Sequence, residues 1–279
     1  MTLRERVSGP TPVVEAAERA AKLPLHHRAW FQRTLVWGGL LVASQIFAMQ
    51  VGPYFWPSIP DIISGAVASF SDGTYVLVLS SFAQMLSGFL LAVVVGVPVG
   101  LLMGQFRIVD FVVGPFINAL FVTSLVALLP FIILIFGTDF TFRVAVVFLF
   151  AVFYLIITPA AGVRAIDREL NEMATSFGVS SSRRLLSITL PGTLPYIITG
   201  LRLGIGQAVQ GMIVAELWVT LGTGRRLMNL GYSRELGQFF ATAAAVVLVG
   251  ATLTGLLLFA QKRLTPWADD VESAVSGAR

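Results

Sequence analysis

Glu172-Met173-Ala174-Thr175-Ser176-Phe177-Gly178, nine further residues, and then Ile188-Thr189-Leu190-Pro191 form the one long polar interruption in the second half of a very apolar chain. Ile166, Leu170, Met173 and Phe177 recur at helical spacing and fall on one face, with Asp167, Glu169, Asn171 and Glu172 on the others. The acidic residues suit the positive end of a helix dipole. Gly178 stands where a left-handed C-terminal cap is expected. Ser180, Ser181 and Ser182 can cap a second short helix carrying Arg183, Arg184, Leu185 and Leu186, with Pro191 expected to close it. The pattern predicts a compact helix-turn-helix with one apolar and one polar side.

What surrounds this elbow decides the fold class. Hydrophobic residues make up 56% of the 279 and charged residues 12%, so an ordinary soluble domain is excluded. A spanning helix needs about 20 apolar residues, so five to seven spans use most of the length and leave no room for a second soluble domain. Cysteine is absent, which excludes disulfides, thiolate metal sites and a cysteine nucleophile. The net charge of +4 is spread over loops, with no basic stripe for nucleic acid.

Hydropathy predicts an all-α integral membrane protein with about six transmembrane helices. A polar segment, 1–33, precedes them; Thr11-Pro12 opens a short helix there that Pro24 ends, and no cleaved signal peptide is read. His26 and His27 are adjacent and lack a nearby acidic or thiol partner, so no metal site is assigned. The spans fall at about 34–52, 78–104, 112–136, 143–163, 195–218 and 239–260, within a membrane domain of 34–263 followed by a polar tail, 264–279. Tyr54 and Trp56 are placed as interface anchors. Gly88, Ala92, Gly96, Gly100 and Gly104 recur at steps of four, which suits either close helix packing or a glycine-lined path. Pro98 is a candidate kink, and Pro130 interrupts the third span.

Six spans put both termini on one side, and charge chooses which. With the termini inside, cytoplasmic segments collect 14 of the 19 Lys and Arg residues, including Arg107, Arg164, Arg168, Arg183 and Arg184. Arg143, Arg225, Arg226 and Arg234 fall outside. The positive-inside rule therefore puts the 164–191 loop in the cytoplasm.

Two further stretches carry polar residues of interest. In the fifth span Leu203, Gln207 and Gln210 form a row beside Gly200, Gly204, Ala208 and Gly211. Two glutamines in hydrocarbon require partners, so they either bond between helices or line a translocation path. Glu216 and the arginines Arg225, Arg226 and Arg234 form an outer polar group and are the candidates for docking an external protein. The arginines suit docking of an acidic protein, attraction of an anionic solute, or plain solvation. No cluster of His, Cys or carboxylates sits within the spans, and no G-x-x-x-x-G-K-[ST] occurs anywhere.

The elbow resembles the E-A-A, three residues, G, nine residues, I-x-L-P loop of permease subunits of ABC importers, the binding-protein-dependent inner-membrane transport family. Glu172, Ala174, Gly178, Ile188, Leu190 and Pro191 fall in its frame, with Met173 where alanine is usual. Leu129-Pro130-Phe131 with Phe136-Gly137, Gly200-Leu201-Arg202, and Glu216 followed by Gly222-Thr223-Gly224 resemble the nitrate, sulfonate and taurine branch, which has leucine where Thr223 stands. The resemblance implies a type I importer fold with a cytoplasmic coupling helix, in a bacterial inner membrane. Two permease copies, an ABC ATPase dimer and an external solute-binding protein are implied as partners. Cofactors are implied only on the partner: ATP and Mg on the ATPase, none on this chain. The solute class implied is a small organic anion. An ordinary amphipathic surface helix is the alternative for the elbow. An ATP-independent secondary transporter or channel is the alternative for the chain, but it predicts intramembrane carboxylates or paired repeats, and neither is evident. A membrane-embedded enzyme has little chemistry to draw on here.

Overall fold

The computed structural model describes residues 29–264, and these are almost wholly helical, with no strand among them. The expected Thr11–Pro24 helix, His26, His27 and the acidic tail lie outside the described residues. The chain divides into two units, 1–62 and 63–279.

In the first unit, α1 (Ala29–Val51) is apolar and long enough to cross a bilayer. It ends at Gly52, whose φ of +87° is open to glycine and strained for other residues. The chain then folds back on it. Trp56 donates its indole N–H to Ser44 Oγ at 2.9 Å and meets Phe47 edge-on, so Trp56 packs within this hairpin while Tyr54 is exposed. Asp61, in the first turn of α2 (Ile59–Ser71), accepts from the Ser58 amide at 3.0 Å and hydroxyl at 2.6 Å. Those bonds hold its carboxyl below the usual value.

The second unit is built on four long helices. α3 (Thr74–Gln105) and α6 (Phe140–Arg164) pack through the small-residue row. A Cβ on Gly88 would stand 2.8 Å from the Val144 carbonyl and from Val147, and one on Gly104 would meet Ala160 and Val163. Sixteen residues along α3 thus match sixteen along α6 in the same sense, so the two helices run parallel. Packing, then, is what the glycine row does. Pro98 stays within α3 without ending it.

Because α3 and α6 are parallel, the segment between them must return across the unit. It does so as α4 (Arg107–Val122), a 3₁₀ turn (Leu125–Leu128) and α5 (Leu129–Phe136), bent by 95°. The expected single span is therefore broken, and the break falls at Thr123-Ser124 rather than at Pro130. Pro130 occupies the first turn of α5, where its missing N–H leaves no hydrogen bond unmade. Counting this bent pair, six helical segments among the described residues are apolar and long enough to cross a membrane.

Past the elbow, α9 (Leu190–Trp218) packs antiparallel on α6: Gly162 lies against Tyr196 and Thr193, Gly200 against Thr158, and Gly211 against Phe150. A helix at the end of the bundle opposite the elbow, α10 (Gly222–Tyr232), was not anticipated from hydropathy. α11 (Leu236–Leu264) follows and closes the core through Val246. That core is a continuous cluster including Phe82, Met85, Phe89, Val152, Leu155, Ile156, Ile205 and Met212.

Candidate functional site

Three places collect the polar residues singled out in the sequence. The first is the elbow. Asp167 Oδ1 accepts from the Glu169 amide at 2.9 Å and starts α7 (Arg168–Ser176). Gly178 stops it at φ +69°, with Phe177 N–H donating to Met173 O and Val179 N–H to Ala174 O. α8 (Ser181–Arg184) follows, then a π-helical turn (Leu185–Thr189) that runs without interruption into α9. Pro191 therefore opens the long helix instead of closing the short one. The wider π turn removes the clash a proline would make with the carbonyl four residues earlier.

Ala174 is buried, but the helical face of Leu170, Met173 and Phe177 is not packed against this chain: Phe177 is 83% exposed, Met173 53% and Leu170 46%. Leu186 adds another exposed apolar side chain. Glu172, Gly178 and Pro191 are also exposed, with Ile188 and Leu190 half-buried. Arg164, at the entrance to the elbow, donates to Asp110 Oδ1 in the first turn of α4 at 2.5 Å.

The second place is a cavity of about 230 Å³ between the α4 break, α6 and α9. Gln207 and Gln210 line it together, facing Phe121 and Thr123 at the break and Phe153 and Tyr154 on α6. Phe121 stands edge-on to Tyr154 at 5.4 Å and to Phe153 at 6.5 Å. Leu203 is 45% exposed and does not line the cavity. The aromatic wall was not anticipated: Phe121 and Tyr154 are ordinary span residues until the 95° bend brings them together.

The third place is the end of the bundle opposite the elbow, where one expectation is corrected. Glu216 is 1% exposed, so it cannot touch a docking protein; its Oε2 accepts from the Gly224 amide at 3.0 Å. Arg226 is half-buried and bonded to the bundle. Its guanidinium is ion-paired with Asp72 and donates to Thr74 Oγ1 at 3.1 Å and Gln238 Oε1 at 3.2 Å, while Gln238 donates to Asp72 at 3.1 Å. Glu216 was expected at the end of the fifth span, open to a partner, whereas α10 folds its first turn back onto it. Arg225 is exposed, and exposed Arg234 sits at φ +57° in the turn between α10 and α11. Arg143, expected outside, is partly buried near Glu216 and adds an attractive charge to it. Among the described residues no cluster of three or more metal-ligating side chains occurs.

A parallel helix pair with a third long helix packed antiparallel on it, a capped elbow between two spans and a glutamine-lined cavity describe a multi-pass membrane protein. Residues 96–269 match the model of the binding-protein-dependent transport system inner membrane component family, and the chain belongs to that family. It is similar to a probable ABC transporter permease protein of Brucella abortus (strain 2308), 28% identical over 78% of this chain and 88% of that one. It is also 28% identical to the taurine transport system permease protein TauC of Escherichia coli (strain K12), over 80% of this chain and 83% of the other. With the bicarbonate transport system permease protein CmpB of Synechococcus elongatus it shares 30% identity over 67% of this chain and 66% of that one.

Proposed function

We propose that this ABC permease subunit works in an ATP-driven, binding-protein-dependent importer, and that α7 is its coupling helix. The observation that carries the reading is the exposed row Leu170, Met173 and Phe177 on a helix capped at both ends. A membrane subunit gains nothing by presenting three large apolar side chains to water unless a partner covers them. In this reading Glu172, Ala174, Gly178, Ile188, Leu190 and Pro191 shape the elbow, and an ABC ATPase dimer, which holds the ATP and Mg, receives it. The charge bias supports a cytoplasmic elbow, with both termini on that side.

The elbow joins two walls of the cavity. α9 begins in it and carries Gln207 and Gln210; α6 ends in it, and Arg164 in the last turn of α6 holds Asp110 and, through α4, the break that carries Phe121 and Thr123. A rigid shift of α7 would therefore move α9 against α6 and α4, which the Arg164–Asp110 pair keeps together. Such a shift needs differential contact of the partner with two states, which nucleotide-dependent closure of the ATPase supplies. A second copy of this chain completes the pathway. Relatives named for taurine and bicarbonate support a small anion as the solute, an organic one by the branch resemblance, handed over by an external binding protein at the face bearing Arg225 and Arg234.

The test uses the absence of cysteine. A single cysteine at Phe177 in the assembled importer, treated with a short bifunctional reagent, is expected to capture the ATPase. No capture, or labelling of that cysteine only from outside the cell, removes the reading.

A further inference from the structure

We infer that Glu216 is a positioning residue: its buried carboxylate fastens outer helix α10 to the end of α9, and this joint passes the docking of the external binding protein down α9 to the elbow. The second half of the inference rests on the importer reading above; the first half does not.

The joint is built from both sides. Glu216 lies in the last turn of α9, and its Oε2 accepts from Gly224 N–H in the first turn of α10, where a negative charge meets the free amides and the positive dipole end. The backbone approaches so closely that only glycine fits. A Cβ on Gly224 would stand 2.6 Å from the Leu217 nitrogen, and one on Gly222, at φ +57°, would run into the Glu216 carboxylate itself. Between them Thr223 ties α10 to α3, its hydroxyl lying 2.9 Å and its amide 3.3 Å from Ser81 Oγ. Ser81 also hydrogen-bonds the Glu216 carboxylate, and Arg143 on α6 offsets its charge. One carboxylate is thus where α3, α6, α9 and α10 meet.

Gln84 on α3 and Arg143 on α6 flank the joint, and Gln84 Oε1 and Arg143 Nε are buried there.

On the far side of the joint, α10 is held by Arg226 to Asp72, Thr74 and Gln238, while Arg225 is exposed. A push on the exposed side of α10 therefore cannot be absorbed by swinging α10 about a loose loop. It passes to α9, which runs as one helix from Glu216 back to Leu190 and the elbow.

The test uses the full importer in nanodiscs with a nitroxide on a single cysteine at Arg225, and two variants. Glu216→Ala removes the acceptor and the charge. Gly224→Ala leaves both and wedges the joint with one methyl group, so it stands in if the first variant fails to assemble. Both are expected to mobilise the nitroxide and to lower the ratio of binding-protein-stimulated to basal ATPase activity by about tenfold; Glu216→Gln, which keeps an acceptor for Gly224, is expected to recover part of both. An immobile nitroxide in the assembled variants overturns the joint. A mobile nitroxide with an undiminished ratio overturns the transmission. A wild-type importer that its binding protein does not stimulate counts against the importer reading and the transmission with it, while the nitroxide still decides the joint.

Discussion

Arg164 Nη2 and Asp110 Oδ1 lie 2.5 Å apart, joining the last turn of α6 to the first turn of α4 at the entrance to the elbow. Both side chains are about half exposed, so the pair adds little to stability, on the order of 0–1 kcal/mol. Its consequence is mechanical: α4 ends at the break that forms one wall of the cavity. Asp110→Asn is expected to leave the melting temperature within about 2 °C of the wild type while lowering uptake per ATP hydrolysed. The exchanged pair Asp110→Arg with Arg164→Asp is expected to recover it. Uptake and hydrolysis measured together in proteoliposomes check this; equal coupling ratios in all three proteins would remove the latch.

The apolar side of α7 makes an opposite demand. Phe177 is exposed here, so Phe177→Ser should not destabilise the isolated subunit, yet burying a phenylalanine in a partner contributes about 1.5–3 kcal/mol. Affinity for the ATPase is expected to fall about tenfold or more, read by co-purification across a dilution series. Retained affinity would show that this face meets something else.

Asp72 connects the end of the bundle opposite the elbow to pH. The Thr74 hydroxyl is the main cause that holds its carboxyl below the usual value of 3.8, with Arg226 and Gln238 adding to it. A carboxyl with a lowered pKa stabilises the folded state at pH values above 3.8 and loses that contribution as the pH falls through its folded value. Asp72→Asn is therefore expected to melt below the wild type at neutral pH and to converge with it under acid. Parallel melting curves with a constant gap at every pH would contradict this.

How much of this could be read beforehand follows the range of each signal. The elbow was legible because helix spacing and a cap glycine act over a few residues, and Gly178 takes the expected left-handed conformation. The spans were legible because hydrocarbon imposes length and apolarity. Pro191 was misread, since a proline's local effect is the same whether it ends one helix or begins the next; the π turn before it decides. The partners of Glu216 and Arg226 were not legible for a different reason. Each looks like a surface charge until α10 folds back and gives it Gly224, Asp72 and Gln238 as partners. The aromatic wall of Phe121, Phe153 and Tyr154 depends on a 95° bend that no residue pattern announced.

The glycine row of α3 gives the sharpest stability contrast. A methyl group on Gly100 would be driven into the Ile156 carbonyl, a backbone atom that cannot turn aside, whereas a methyl on Gly206 of α9 meets nothing within 4 Å. Overpacking of this kind costs about 1–3 kcal/mol, and an open helical glycine replaced by alanine gains up to about 1 kcal/mol of helix propensity in exchange. Gly100→Ala is expected to lower the melting temperature of the purified subunit by several degrees and to reduce uptake, because α3 and α6 can no longer keep their parallel register. Gly206→Ala is expected to leave the melting temperature unchanged or raise it. If both variants melt alike, then α3 and α6 do not approach as closely as their glycines allow, and the return crossing through α4 and α5 loses its support.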